Sequence, residues 1–233
     1  LKALADSMGQ LDELFLLVVV GEFNAGKSAL INALLGRAVL AEGVTPTTSK
    51  IHHVSWGEEL AREPMGSVGE RITAPVETLR QLTIVDTPGT NALDRAHEAL
   101  TTDYVPRADL VLFVTSSDRP LSESERVFLE SIRGWGKKVA MVVNKIDILR
   151  SDDEVREVVA YVSQHAGRLL GTDPQVFAVS ALRAAEAEDE AAREASGLPA
   201  VEGVGARGVD DGELMQGLHR SRDPLPGRTH RLA

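Results

Sequence analysis

The chain has 233 residues, 43% of them hydrophobic, which is enough for one domain with a full core and a small appendage. Its 35 acidic and 25 basic residues give a net charge of −10, so the chain as a whole lacks the positive field of nucleic-acid-binding proteins, although a local basic patch is compatible with it. Cysteine is absent and no apolar stretch reaches the ~18 residues of a membrane span, which excludes disulfide and thiolate chemistry and predicts a cytoplasmic protein.

The first predicted element is an amphipathic helix over residues 1–13. Its apolar stripe, which runs into the next segment, consists of Leu1, Leu4, Met8, Leu11 and Phe15. This stripe would pack on the domain's own surface or, as the alternative, on a neighbour outside the sequence. Because the chain begins with Leu1 rather than Met, we expect it to be part of a longer protein.

Continuous apolar runs alternate with helical segments along the rest of the chain. Uninterrupted apolar runs are typical of strands that are buried on both faces. The five runs are Leu14–Val20, Leu82–Asp86, Leu110–Val114, Val139–Asn144 and Val176–Ser180. The pattern predicts an α/β protein with a doubly wound, mostly parallel sheet and helices on both faces, in which ligands bind beyond the carboxyl ends of the strands.

Further elements are predicted between these strands. Residues 51–57 (IHHVSWG) form a candidate strand, with an antiparallel pairing as one option, followed by a loose stretch to about Ala74. Ser122 with Glu125, and Ser151 with Glu154, match the capping box that begins a helix. His52 and His53 are neighbours on the candidate strand, so their side chains face opposite sides and we interpret them as ordinary strand residues.

The segment GEFNAGKS follows the first strand and precedes the apolar helix ALINALL. It matches the phosphate-binding loop of P-loop NTPases, in which Gly21 and Gly26 let the backbone amides point at phosphate oxygens. Lys27 would reach the β- and γ-phosphates, and the Ser28 hydroxyl would bind Mg²⁺. The predicted nucleotide-binding residues of this loop are Gly21, Glu22, Phe23, Asn24, Ala25, Gly26, Lys27, Ser28 and Ala29.

Two later segments provide candidate residues for Mg²⁺ binding and hydrolysis. DTPG places Asp86 at the carboxyl end of a strand, where an aspartate holds Mg²⁺ in nucleotide hydrolases of this architecture, and it ends at Gly89. In GVTPTTSK, Thr48 is our first candidate and Thr47 our second for closing over Mg²⁺ and the γ-phosphate. The alternative is a loop whose threonines bond only locally.

The motif NKID indicates which nucleotide is bound. The Asp147 carboxylate can accept both N–H groups on the Watson–Crick edge of guanine, whereas adenine presents an acceptor there. The sequence therefore predicts GTP. The residues assigned to the guanine pocket are Asn144, Lys145, Asp147, Ser180 and Ala181.

The combined motifs resemble the GTPase domain of bacterial dynamin-like proteins, in the fuzzy-onion/mitofusin-like branch. The resemblance rests on GEFNAGKSALINALLG, GVTPTTSK, DTPGTN, DRPLSESER and WGKKVAMVVNKIDIL, and it runs from about Leu1 to about Leu198. It implies Mg²⁺-dependent GTP hydrolysis, a nucleotide-dependent homodimer of GTPase heads, and membrane remodelling. The full-length protein would then lie peripherally at the inner face of the cell membrane, touching lipid through a stalk and tip outside this sequence, without a nucleic-acid partner.

The predicted domains are the helix over residues 1–13, a GTPase domain over residues 14–198, and a loosely ordered or disordered tail over residues 199–233. Within the GTPase domain, Ala184–Ala195 is predicted to be an exposed helix. The tail is predicted from the glycines and prolines scattered after Gly197, which show no helical or strand period. It departs from the family, whose members continue into long amphipathic helices.

The residues assigned to catalysis are Asn24, Lys27, Thr48 and Gly89. Thr90 follows Gly89 and is too short to orient water as the glutamine of Ras-type GTPases does. GTPases with Asn-Ala-Gly-Lys-Ser loops resemble one another in using potassium, so Asn24 is a candidate ligand for K⁺ or Na⁺ that would offset transition-state charge. The alternatives are that Asn24 only stabilises the loop, with Arg37 or Arg95 acting as a finger from a partner.

Two other functions share parts of this pattern. GTPases of the Era/EngA kind, which assist ribosome or tRNA maturation, share Asn-Ala-Gly-Lys-Ser, DTPG and NKxD, but they usually carry an added basic RNA-binding domain and nothing basic is appended here. The other alternative is a scaffold that binds GTP without turnover. We rank it below the enzyme because the hydrolytic groups are present.

Overall fold

The computed structural model describes residues 14–42, 50–66, 69–88, 104–133 and 138–206, with the side chains of 204–206 excepted. Within these ranges eight strands form one sheet in the order β3-β4-β2-β5-β1-β6-β7-β8. The strands are β1 (Phe15–Gly21), β2 (Ile51–Trp56), β3 (Ala61–Met65), β4 (Gly69–Ala74), β5 (Leu82–Asp86), β6 (Leu110–Ser116), β7 (Val139–Asn144) and β8 (Gln175–Ala178). The helices are α1 (Lys27–Leu35), α2 (Glu123–Ile132), α3 (Asp152–Leu170), α4 (Ala181–Glu186), α5 (Glu190–Ala195) and α6 (Leu198–Ala206).

The predicted fold class is confirmed by the pairing of the strands. Strands β5, β1, β6, β7 and β8 run parallel to one another, whereas β2 is antiparallel to β5, with His52 opposite Asp86. Parallel neighbours place their carboxyl ends at one edge of the sheet. This edge therefore collects the segments that follow β1, β5, β7 and β8, where the predicted motifs lie.

The central strand β1 shows why its apolar run is continuous. Leu17 and Val19 belong to a buried cluster that also contains residues of α1 and α6, whereas Val18 and Val20 belong to a second cluster with residues of α2 and α3. Because successive side chains of a strand point to opposite faces, a strand covered by helices on both sides needs apolar residues at every position. The core therefore has two layers, one on each face of the sheet.

The stretch after β2 is a correction to the sequence prediction of a loose segment. Residues 61–65 and 69–74 form the antiparallel hairpin β3–β4, and β4 pairs in parallel with β2. Strand β3 (AREPM) is largely exposed and contains Pro64, which is tolerated only at an edge strand or a bulge. The charged, proline-containing sequence of β3 gave no strand signal. The strand is stabilised by pairing with β4 rather than by a buried apolar face.

Both predicted helix starts are confirmed, but only one of the two predicted capping boxes is complete. At α2 the full capping box is present between Ser122 and Glu125. At α3 the Ser151 hydroxyl accepts from the Glu154 N–H, but the Glu154 carboxylate accepts from Arg150 N at 2.8 Å rather than from the N-cap amide. The second box is therefore half formed.

The C-terminal part also differs from its prediction. The segment Ala184–Ala195 contains the end of α4 and a separate helix α5, which is capped by Asp189. Helix α6 continues eight residues beyond the predicted boundary at Leu198, with Leu198 and Val201 buried. Burial of these two side chains outweighs the low helix propensity of the glycines around them. The predicted helix over 1–13 and the tail beyond residue 206 lie outside the described residues.

None of the helices in the described ranges is long and apolar enough to cross a membrane.

Candidate nucleotide-binding site

The phosphate loop lies between β1 and α1 and is pressed against two neighbouring strands. A Cβ added at Gly21 would lie 2.0 Å from the Val114 carbonyl oxygen, and one added at Gly26 would lie 2.3 Å from Asn144 Nδ2. Both glycines also have a positive φ, of 146° and 84°. A side chain at either position would therefore displace the loop, which explains the Gly-x₄-Gly spacing in physical terms. Along the loop, Glu22, Phe23, Ser28 and Ala29 are half-buried, Ala25 is buried and Asn24 is exposed.

Lys27 is a buried cation inside this loop. Its Nζ donates to the carbonyl oxygens of Gly21 and Glu22, both at 3.0 Å. Burial lowers the pKa of Lys27, and the charges of Asp86, Glu125 and Glu22 act against that shift. Within the described part of the chain, the hydrogen bonds of the ammonium group go to backbone carbonyl oxygens and not to a carboxylate. The group can therefore turn towards a bound anion without breaking an ion pair.

Ser28 and Asp86 meet at the predicted magnesium site. Ser28 Oγ donates to Asp86 Oδ2 at 3.0 Å, and Asp86 is fully buried. Its other oxygen, Oδ1, has no hydrogen-bond partner among the described residues. Mg²⁺ is usually held by one or two carboxylates together with substrate phosphates, so a hydroxyl and an under-coordinated carboxylate beside the phosphate loop fit this ion. The predicted partners Thr47, Thr48 and Gly89 lie outside the described residues.

Asn144, the last residue of β7, connects the phosphate loop to the segment Ser180–Ala181 after β8, which we call the guanine loop. Its Nδ2 donates to Ala25 O at 2.9 Å, and its Oδ1 accepts from the Ala181 N–H at 3.1 Å. Both ends of the amide are thus used within the protein, and the side chain is 2% exposed. Its role in the structure is therefore to hold two binding segments together.

Asp147 lies in the short turn after β7, and a hydroxyl from the segment after β8 donates a hydrogen bond to its carboxylate. Ser180 Oγ donates to Asp147 Oδ1 at 2.5 Å, and Ser180 is fully buried. Lys145 has a left-handed backbone with φ of 63°, and its carbonyl accepts from Ser117 Oγ at 2.8 Å. The structure thus brings the residues predicted for the guanine pocket together at the ends of β7 and β8.

Sequence reasoning missed a group of side chains that borders the phosphate loop from α2. Glu125 is 1% exposed, and its carboxylate accepts from Thr115 Oγ1 at 2.9 Å, Ser122 N at 3.0 Å and Glu22 N at 3.4 Å. Burial is the main cause that raises the pKa of Glu125. The capping box showed Glu125 as a helix-start residue, but its contact with Glu22 spans 103 positions and has no local signal.

A cavity of about 330 Å³ opens beside this group. Its lining residues are Glu22, Phe23, Asn24, Ala25, Ser116, Asp118, Arg119, Glu125 and Lys145. It therefore joins the exposed side of the phosphate loop to Lys145 of the guanine motif and to the turn before α2.

The two adjacent histidines lead to different neighbours. His52 lies 3.8 Å from Asp86 Oδ2 through Nδ1 and 3.8 Å from Glu70 Oε2 through Nε2. His53 Nε2 is 2.7 Å from the Tyr104 hydroxyl on the other side of the strand. No group of three or more histidine or acidic side chains suited to a metal occurs in the described part of the chain.

A buried strand, a Gly-x₄-Gly-Lys-Ser loop, an aspartate beside its serine and an Asn-Lys-x-Asp motif tied to the same loop together define a P-loop GTPase. The sequence profile of the family described as 50S ribosome-binding GTPase matches residues 16–145. The chain belongs to this family, and its enzyme class, GTPase, agrees with the sequence prediction.

Three similar proteins show how the chain relates to others. It is 43% identical over 193 residues to the probable transmembrane GTPase FZO-like, chloroplastic, of Arabidopsis thaliana, covering 79% of this chain and 21% of that protein. It is 31% identical over 186 residues to the tRNA modification GTPase MnmE of Thermotoga petrophila, covering 77% of this chain and 34% of that protein. A solved structure of an oligomerised bacterial dynamin pair has the same fold, with a TM-score of 0.72 at 19% identity, covering 94% of this chain and 41% of that one. The chain thus spans less than half of each of these proteins.

Proposed function

We propose that this chain binds GTP with Mg²⁺ and hydrolyses it to GDP and inorganic phosphate. Water would attack the γ-phosphorus while the bond from that phosphorus to the β–γ bridging oxygen breaks. The observation that carries the proposal is Asn144, whose single amide joins Ala25 of the phosphate loop to Ala181 beside Asp147. This link supports one continuous site for a ligand with a phosphate chain at one end and a guanine-like base at the other.

Each side chain has a defined task in this proposal. Lys27 turns from its loop carbonyls to the β- and γ-phosphates, the loop amides bind phosphate oxygens, and Asp147 accepts the two guanine N–H groups. Ser28, Asp86 and either Thr48 or Thr47 would hold Mg²⁺, which when bound supplies positive charge at the phosphate oxygens. We assign Gly89 to the γ-phosphate side of the site.

Base recognition is tested with Asp147→Asn. We expect GTP affinity to fall by about 30- to 1000-fold, because a charged acceptor for two donors is lost, roughly 2 to 4 kcal/mol. Binding of xanthosine triphosphate should increase, since the new amide can donate to the extra carbonyl. Isothermal titration calorimetry with both nucleotides measures this change. Equal GTP affinity before and after the substitution would overturn the assignment.

We further propose that K⁺ or Na⁺ assists hydrolysis at Asn24. Asn24 is exposed at the rim of the cavity beside the phosphate loop, and its φ of 66° lies in the left-handed region. From this exposed position its side-chain oxygen would bind a monovalent cation that offsets phosphate charge in place of an arginine finger.

At the level of the whole protein, we propose the head of a dynamin-like membrane-remodelling GTPase that dimerises through its nucleotide face. The supports are the 43% identity to the FZO-like GTPase and the fold shared with a bacterial dynamin pair. The full-length protein would lie peripherally at the inner face of the cell membrane.

A second candidate is action on the ribosome or on tRNA. It is supported by the description of the matching family and by the 31% identity to MnmE. Co-sedimentation of the full-length parent protein separates the two. Pelleting with anionic liposomes but not with ribosomes supports the membrane function, and the opposite result supports the second candidate.

A further inference from the structure

Helices α5 and α6 form a short hairpin whose turn contacts Ser180 of the guanine loop. The Ser180 N–H donates to Ser196 O at 2.8 Å, at the turn between the two helices. A Cβ at Gly197 in the same turn would lie 2.0 Å from the Ala178 carbonyl oxygen, so the turn touches the end of β8. Leu198 and Val201 of α6 pack in the same buried cluster as Ala181. The hairpin is therefore in direct contact with the loop that carries Ser180 and Ala181.

A buried ion pair joins the two helices of this hairpin. Arg193 Nη2 of α5 donates to Glu202 Oε1 of α6, and the two side chains are 5% and 2% exposed. Arg193 Nε and Nη1 and Glu202 Oε2 have no hydrogen-bond partner among the described residues. A buried pair with unsatisfied atoms adds little stability over apolar residues of the same size. Its presence is better explained by a geometric task than by stability.

That task is visible in the contacts that lead to Asp147. Ser180 donates its backbone N–H to the hairpin and its hydroxyl to Asp147 Oδ1. The position of the hairpin thus sets the position of Ser180, and Ser180 sets the orientation of the Asp147 carboxylate. We infer that Arg193 and Glu202 are positioning residues for guanine recognition, which they perform by holding the α5–α6 turn against Ser180.

The inference rests on the proposed role of Asp147. It is tested by a ratio of two dissociation constants, which a general loss of stability does not change. Inosine triphosphate lacks only the exocyclic amine of guanine, so the ratio of its dissociation constant to that of GTP reports whether the carboxylate is placed for two donors. We expect this ratio to be roughly 10 to 100 in the native chain, the value of one hydrogen bond to a charged acceptor. A loop that is merely less stable would weaken both nucleotides equally.

The central variant is Arg193→Met/Glu202→Leu, which replaces the pair with apolar side chains of similar size. Glu202→Gln is measured beside it as a shape-conserving change. The matched control is Arg156→Met/Asp153→Leu, which removes an exposed ion pair on α3 with side chains 70% and 86% exposed. Circular dichroism and thermal unfolding establish which variants are folded.

We expect a folded pair variant to lower the inosine-to-GTP ratio by at least about threefold, within the range of coupling between contacting residues, while the control keeps the native ratio. A native ratio in the folded variants, with or without weaker binding of both nucleotides, would overturn the inference. So would unfolding of both pair variants with a folded control, because the pair would then hold the whole domain. Asp147→Asn distinguishes the two proposals: if it keeps the native ratio, the base-reading assignment itself is wrong.

Discussion

The phosphate loop contains one exposed residue with an unusual backbone. Asn24 has a φ of 66° between half-buried Phe23 and buried Ala25. Asparagine adopts the left-handed region at lower cost than most residues, so an ordinary structural reason for its presence exists. A cation site requires in addition that the side-chain oxygen contributes to hydrolysis, and this can be measured separately from loop stability.

We predict that hydrolysis depends on the monovalent cation through Asn24. Phosphate release should be faster in potassium or sodium chloride than in lithium or tetramethylammonium chloride at equal ionic strength. Asn24→Ala should remove this preference and leave GDP binding nearly intact, because the loop amides that bind phosphate remain. Native turnover that is indifferent to the cation would contradict the site and would direct attention to Arg37 or Arg95 as a finger from a partner.

His53 is a second residue whose surroundings determine a measurable property. Burial, with additional effects of Arg71 and His52, lowers the pKa of His53 from 6.5 to about 4. The folded state therefore binds fewer protons than the unfolded state between these two values. Its contribution to stability is fully present above about pH 6.5 and is lost as the pH falls towards 4.

We predict that the free energy of unfolding falls between about pH 7 and about pH 4 by up to roughly 3 kcal/mol through this residue. His53→Gln, which can still hydrogen-bond the Tyr104 hydroxyl, should be less stable at neutral pH but show a flatter pH dependence. Urea unfolding of the native protein and of His53→Gln at several pH values measures the pH dependence of the free energy of unfolding. Parallel pH profiles would show that another group carries the acid sensitivity.

At the scale of elements, the start of α2 and the phosphate loop form one unit. Glu125 accepts from the Glu22 N–H, and Ser124 Oγ donates to the Glu22 carboxylate at 3.0 Å. The same Glu125 carboxylate closes the capping box of α2 through Ser122. The first peptide of the loop is thereby turned towards the helix, and the Ala25 N–H donates back to Glu22 O at 3.2 Å, so the curve of the loop is fixed at its start.

We predict that Glu125→Gln weakens GTP and GDP binding alike, by about 3- to 30-fold, with little change in kcat. The new amide can keep two acceptor contacts on its oxygen, but its NH₂ group cannot accept from the Glu22 N–H. Calorimetric titration with both nucleotides measures the change. Glu130→Gln, on the exposed side of the same helix, serves as the control and should match the native protein. Native affinity in Glu125→Gln would show that the contact does not shape the loop.

At the scale of the whole molecule, the binding residues cluster because the sheet is parallel where they occur. The ends of β1, β5, β7 and β8 lie at one edge, so segments more than 100 residues apart in sequence meet there, as the contact from Asn144 to Ala25 shows. In the dimer that we propose, two heads would meet through this edge across their bound nucleotides.

We predict that the oligomeric state depends on the nucleotide. Light scattering should show a monomer with GDP and a dimer with GDP and aluminium fluoride, because the segments near the γ-phosphate would be ordered only in the second state. Lys27→Ala, which cannot hold the phosphates, should stay monomeric in both. A native chain that is monomeric in every nucleotide state would count against the dynamin-like proposal and favour the ribosome or tRNA alternative.

Much of the fold could be predicted because its signals are local. Continuous apolar runs at Leu82–Asp86 and Val139–Asn144 match β5 and β7 residue for residue, since burial on both faces demands such sequences. The β3–β4 hairpin and the break between α4 and α5 could not be predicted in this way. Edge pairing and short capped helices depend on neighbours that composition does not show.

The amino-acid sequence by itself determined the fold class, the order of the phosphate and guanine motifs and the choice of guanine, because each depends on residue types at short, fixed spacings. Only the tertiary structure decided that Asn144 hydrogen-bonds the phosphate loop and that Glu125 orients the first peptide of that loop. It also decided that Arg193 and Glu202 form a buried ion pair between the two helices whose turn contacts Ser180. These contacts join positions that are distant in the chain or depend on how helices pack. The physical reason is that hydrogen-bond partners and burial are set by the three-dimensional approach of segments, and a linear pattern does not specify that approach.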